Sequence, residues 1–181
     1  MPFLEEPFFW AMISMFGLVG ACAIVGSKRI GQHTILGALI VAIFDLGRFV
    51  LVLPGLDQAR INAGVWFGLA GGVVFLCGGY LGLAPAASIR PLNVAGPGTE
   101  LVTTGLYGVV RNPIYLGELL LCLGWAMICR SVIGVALVPL WWLGLLILII
   151  IEEESLEHEF GAPYVAYKQR VRGRILPGLP V

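Results

Sequence analysis

Apolar residues fall into five long runs, over residues 8–26, 35–54, 63–83, 113–129 and 132–151. Each is at or near the ~20 residues a helix needs to cross a bilayer's hydrocarbon core. Polar residues collect between the runs. Lys28 and Arg29 follow the first, Asp57 and Arg60 the second, and Arg90 and Arg111 bound a long connector after the third. Arg130-Ser131 alone parts the fourth run from the fifth, which leaves room for an antiparallel helix hairpin and nothing more. After Ile151 the pattern changes abruptly, with Glu152-Glu153-Glu154 opening a charged segment that lasts to Phe160. Leu156 and Phe160 stand at i, i+4, and Tyr164 and Tyr167 continue the apolar stripe. This spacing predicts an amphipathic helix under the bundle, interrupted at Gly161-Ala162-Pro163.

The predicted fold is all-α: an integral membrane bundle of five transmembrane helices with a cytoplasmic amphipathic C-terminal helix. It reads as a single membrane domain over residues 1–181, with three spans in 1–83 and a loop, two spans and a tail in 84–181. Composition agrees. The chain is 59% hydrophobic and 12% charged, against about half and about a quarter in soluble domains. The bilayer is therefore the first expected partner. Net charge is zero, so nothing draws the chain to nucleic acid. The N-terminus shows neither a basic n-region nor a small-residue cleavage site, so the first run is expected to stay in the mature protein. Basic residues concentrate in the first loop, the third loop and the tail, which the positive-inside rule places in the cytoplasm, with the N-terminus outside. Glycines inside the runs, Gly68, Gly71, Gly72, Gly78 and Gly79 among them, allow close helix approach and permit a homo-oligomer.

Cys22, Cys77, Cys122 and Cys129 sit in or at the ends of apolar runs, with no CxxC and no zinc spacing, and read as small hydrophobes. His33 and His158 are isolated and read as surface residues, so no metal is expected. Walker, GxSxG, HExxH and Rossmann patterns are absent from the sequence. Candidate chemistry lies instead in LVTTGLYGVVRNPIYLG, from Leu101 to Gly117. Pro113 suits the first position of the fourth helix, with Asn112 as its N-cap, and the free amides there form a polar socket. Tyr107 and Tyr115 offer aromatic faces and Arg111 a cation. The same residues also describe a plain capped helix with an interfacial tyrosine belt. In the acidic triplet, helical spacing lets at most one or two carboxylates face inward, where they would attract an ammonium or sulfonium; a solvated helix start is the other reading. Asp45, Arg48 and Glu118 lie inside the runs, where charge costs about 2.5–3.5 kcal/mol each on insertion scales. Asp45 and Arg48, at i, i+3, can pair.

The two polar segments together resemble the isoprenylcysteine carboxyl methyltransferase and phospholipid methyltransferase superfamily. Its signature LVTxGxYxxxRHPxYxG stands here as Leu101-Val102-Thr103, Gly105, Tyr107, Arg111-Asn112-Pro113, Tyr115 and Gly117. Its second half, a Glu pair, Leu, FGxxYxxY and a basic tail, stands as Glu152-Glu153, Leu156, Phe160-Gly161, Tyr164, Tyr167, Val171, Arg174 and Pro177. The resemblance implies S-adenosylmethionine as cofactor, bound on the cytoplasmic side by Thr99, Glu100, Leu101, Val102, Tyr107, Asn112, Pro113, Ile114, Tyr115 and Glu152. It implies methyl transfer to a hydrophobic small-molecule or lipid-linked substrate; among the polar side chains, Arg111 and Glu118 are the ones we expect nearest the transfer point. Asn112 replaces the family's His. Leu148 stands where carboxyl methyltransferases carry an Arg, which argues against a prenylcysteine carboxylate as acceptor. Pro113 to Glu118 also resembles the PNYxGE stretch of NADPH-dependent sterol reductases, and a non-catalytic membrane module is the third alternative.

Overall fold

The computed structural model describes residues 2–26, 34–88 and 100–179. Thr99, Lys28, Arg29, His33 and Arg90 lie outside the described residues. Within them stand α1 (Pro7–Gly26), α2 (Thr34–Val50), α3 (Val65–Ser88), α4 (Pro113–Ile128), α5 (Val132–Phe160) and α6 (Ala162–Arg170). The first five occupy the five apolar runs. By length and composition α1, α3 and α5 are able to cross a membrane, while α4 is a shorter apolar helix and α2 carries Asp45 and Arg48.

α3 packs on α4, α4 on α5, α5 on α1 and α1 on α2, and α2 returns to touch α4. Four helices thus form a ring, and α3 lies outside it against α4. Glycines set the closest crossings. A Cβ added at Gly78 would stand 2.5 Å from the backbone nitrogen of Leu121 and 2.8 Å from the carbonyl oxygen of Gly117. One at Gly71 would stand 2.6 Å from the Met127 Cβ, and Gly117 and Gly124 of α4 are as tightly met from the α3 side. The outward faces stay apolar, with Phe8, Met12, Phe16 and Val19 on α1 and Trp66, Leu69, Val73 and Leu76 on α3 all exposed. Apolar stripes of that extent suit lipid rather than water.

The two ends of the bundle are distinct. At one, the Asp57 amide donates to the Glu5 carbonyl at 3.4 Å and the Ile61 amide to the Arg130 carbonyl at 2.7 Å. Arg60 seals this end by donating to the carbonyls of Val52, Leu53 and Cys129 at 2.8, 2.5 and 2.9 Å. At the other end, residues 100–112 meet the end of α5, α6 and the tail. The second connector and the fourth turn thus share one end and the third loop and the tail touch at the other, while the first loop lies outside the described residues.

The acidic segment departs from expectation. It does not open a separate helix, because α5 runs unbroken for 29 residues. Glutamate is a good helix former, and no proline or glycine between Ile151 and Gly161 interrupts the ladder. Gly161, at φ +60°, makes the break, and Pro163 follows in the first turn of α6. At 1.5 Å per residue α5 is about 44 Å long, well beyond the ~30 Å of a hydrocarbon core. Its last turns are thus a rigid post carrying Glu152 and Glu153. Likewise α3 continues past Leu83, through Pro85, to Ser88.

Candidate functional site

Successive residues of a helix point about 100° apart, so adjacent glutamates at the end of α5 meet different neighbours. Glu153 turns toward the loop. Its Oε1 accepts from Arg111 Nε at 2.8 Å and Asn112 Nδ2 at 3.0 Å, and its Oε2 from Arg111 Nη2 and Arg174 Nε, both at 3.2 Å. Glu152 turns toward α4, where Tyr115 donates its hydroxyl to Oε2 at 2.5 Å. Glu154 is exposed. Two of the three carboxylates therefore face inward.

The tail is tied down around Glu153. Arg111 Nη1 donates to the carbonyls of Val171 and Arg172 at 2.8 and 2.9 Å. The amides of Arg111 and Asn112 donate to the carbonyls of Gly173 and Arg174, each at 2.9 Å. Tyr167 donates to the Tyr107 carbonyl at 2.8 Å, and Arg170 reaches the Thr103 carbonyl at 3.4 Å. Beneath these bonds Tyr164, Tyr167 and Val171 form a small apolar cluster with Leu101, Leu156 and Phe160. Asn112 does stand at the N-cap of α4, but its side chain makes no cap bond. Glu153 and the Arg174 carbonyl take its amide instead.

Most of the expected donor-binding residues come together here. Leu101 packs in the tyrosine cluster, and Val102 and Ile114 are half-buried. Pro113 is buried at the start of α4, while Glu100 is exposed. Tyr107 lies in a short 3-10 turn, Gly105–Gly108, opened by Gly105 at φ +63°. Burial first, then the nearby charge of Glu152 and the phenol of Tyr167, push the Tyr107 hydroxyl up to about 12. Burial likewise takes Tyr167 to about 12, against the opposing charge of Arg111. Arg111 is buried, with its guanidinium engaged by Glu153 and the tail. Glu118 lies elsewhere, on Arg48 of α2, which also holds Asp45.

Sequence reasoning assigned Glu153 and Arg174 no role, although both stand in the second half of the signature. The signal was the pair itself, because one helix cannot aim two adjacent carboxylates at one partner.

A model of the phospholipid methyltransferase family matches residues 69–163, just over half of the chain. The chain belongs to this family. The matched stretch includes α4, α5 and the loop before them, hence Arg111, Asn112, Tyr115, Glu152 and Glu153. Among curated proteins, Protein-S-isoprenylcysteine O-methyltransferase B of Arabidopsis thaliana is 37% identical over 73 residues, 40% of this chain and 37% of that one. Delta(14)-sterol reductase TM7SF2 of Mus musculus is 29% identical over 86 residues, 44% of this chain and 20% of that one. The chain thus matches little more than a third of the first relative's length and a fifth of the second's. No solved structure matches it. Among the described residues no group of His, Cys, Asp and Glu is arranged to hold a metal ion.

Proposed function

We propose that this chain transfers a methyl group from S-adenosylmethionine to an acceptor that partitions into the membrane. In this reading five helices cross the bilayer and the end bearing the tail faces the cytoplasm. The carrying observation is the junction of Tyr115 with Glu152 beside the Arg111–Asn112–Glu153 lock. It unites both halves of the family signature at one end of the bundle.

The residues present fit a nucleoside that carries a sulfonium. Tyr115 occupies one oxygen of Glu152, and the other is left for a cation. Tyr107, a half-buried ring near that carboxylate, offers an aromatic face. S-adenosylmethionine supplies an electrophilic methyl on a positively charged sulfur. Leu101, Val102, Tyr107, Asn112, Pro113, Ile114, Tyr115 and Glu152, with the exposed Glu100, would hold it. Arg111 and Glu153 fix the geometry by pinning the tail over the loop. Alignment and water exclusion of this kind supply up to about 7–11 kcal/mol in well-oriented reactions.

Isothermal titration with S-adenosylhomocysteine tests this on detergent-solubilised, folded protein. Saturable 1:1 binding is expected, with Glu152→Gln weakening S-adenosylmethionine more than the uncharged thioether, and no binding to wild type would overturn the reading. The segment from Pro113 to Glu118 and the sterol reductase match favour NADPH as the alternative. A thermal shift with NADPH but not with S-adenosylmethionine would select it.

A further inference from the structure

The seam between α2 and α4 is held in two different ways. Toward the Arg60 end it is fixed by neutral acceptors. Trp125 Nε1 donates to the Phe49 carbonyl at 3.0 Å, and Arg60 Nη1 gathers the carbonyls of Val52 and Cys129 at 2.8 and 2.9 Å. Closer to the tail the seam rests on charge, because Arg48 Nη2 bonds both Asp45 of its own helix and Glu118 of α4. On the tail side of that point, no hydrogen bond or ion pair joins the two helices among the described residues. There α2 turns Leu36, Leu39, Val41 and Ile43 outward, all exposed.

The charged contact leaves a demand unmet. A guanidinium pairs best as a fork, with parallel N–H bonds to one carboxylate. Here a single nitrogen serves two carboxylates, while Arg48 Nε and Nη1 are buried with no hydrogen-bond partner. Buried donors of this kind are destabilising until an oxygen accepts from them. The cluster itself holds two candidate acceptors. A fork onto Asp45, three residues away on the same helix, would satisfy the guanidinium and release Glu118. A fork onto Glu118 would satisfy it equally and release Asp45. The first choice unties α2 from α4, and the second ties them harder. The Asp45 and Glu118 side chains are 37% and 30% exposed, against 2% for Arg48, so the released carboxylate stands outside the packed core in either case.

We infer that Arg48 is the moving part of a latch on the α2–α4 seam. Shared between the two carboxylates, it holds the helix ring shut. Forked onto Asp45 alone, it lets the tail half of α2 part from α4, with the Trp125 and Arg60 bonds as the fixed end. Glu118 stands about one turn past Tyr115 on α4, so the parting opens the ring beside the Tyr115–Glu152 pair. What such an opening admits rests on the methyl-transfer reading; the latch itself does not.

The chain carries its own reporter. Cys122, one turn beyond Glu118 and beside Arg48, is 5% exposed, and Cys129 lies at the fixed end against Arg60. The test is alkylation by N-ethylmaleimide of the full chain in phosphatidylcholine nanodiscs, with peptide mapping to follow each thiol. Glu118→Gln leaves Arg48 only Asp45, whereas Asp45→Asn leaves it only Glu118. Cys122 should react roughly tenfold or more faster in Glu118→Gln than in Asp45→Asn, as loss of a charge-assisted bond across the seam predicts, with Cys129 alike in both. Each variant removes one negative charge near the thiol, so the lost charge alone does not separate them. Glu118→Asp keeps the charge and shortens the reach by one methylene; it should fall between the two, and it keeps the test decisive if Glu118→Gln loses its helicity. Cys122 reacting as fast in Asp45→Asn as in the folded Glu118 variants would overturn the latch and leave a plain structural ion cluster. S-adenosylhomocysteine titration of the same samples judges the donor socket separately, because the alkylation rates do not depend on it.

Discussion

Replacing Glu153 by alanine should release the tail while leaving the helices standing. The carboxylate is 3% exposed and accepts four hydrogen bonds, two from Arg111 and one each from Asn112 and Arg174. Arg174, 23% exposed, can swing to solvent when the carboxylate is gone. Arg111, 6% exposed, cannot, and its Nε and Nη2 would stay buried without a partner. Removing one member of a buried pair costs about 3–5 kcal/mol. The Arg111 bonds to the Val171 and Arg172 carbonyls survive, so the lower value, about 3 kcal/mol, applies. At about 1.4 kcal/mol per factor of ten, opening of residues 171–176 becomes roughly a hundredfold more frequent. Trypsin cleavage after Arg172 reports this opening when reclosing outpaces cleavage. Glu153→Ala should therefore be cut about a hundred times faster than wild type there. Equal cleavage rates in the two proteins would refute the idea that this carboxylate holds the tail.

Tyr115→Phe removes the 2.5 Å bond to Glu152 and should weaken S-adenosylhomocysteine binding about tenfold by titration, as loss of a charge-assisted bond does. Gly78→Val puts atoms into a backbone crossing and should cost at least about 1–3 kcal/mol of stability, whereas Gly72→Ala, which meets nothing within 4 Å, should not destabilise; thermal unfolding compares them. The Tyr107 and Tyr167 phenols should ionise near 12 in the folded protein, read by ultraviolet titration. Their folded values lie above the ordinary ~10, so the stability they confer is complete below about pH 10 and is lost as pH rises through 12. Ionisation of both near 10 would contradict their burial against the tail.

Periodicity and run length made the helices legible, because each apolar run carries its own signal. The extent of α5 was not legible. A switch from apolar to acidic residues marks where the environment changes, and backbone hydrogen bonding is indifferent to that change until Gly161. Asn112 was correctly placed at a helix start, yet its side chain answers to a carboxylate 41 residues away, which local capping rules do not see. Asp45 and Arg48 announced their pairing by spacing alone. Glu118 joins them across 70 residues, through a contact between α2 and α4 that no local pattern encodes. The motif residues around Arg111 were recognisable, but which of them bind and which only brace depends on the third dimension.

The most direct measurement of the central claim is photolabelling with an azido derivative of S-adenosylmethionine, followed by peptide mapping. Label on residues 100–115 and around Glu152, suppressed by S-adenosylhomocysteine, is the predicted result. Suppressible label confined to the opposite end of the bundle, around Arg60 and Ser131, would contradict it.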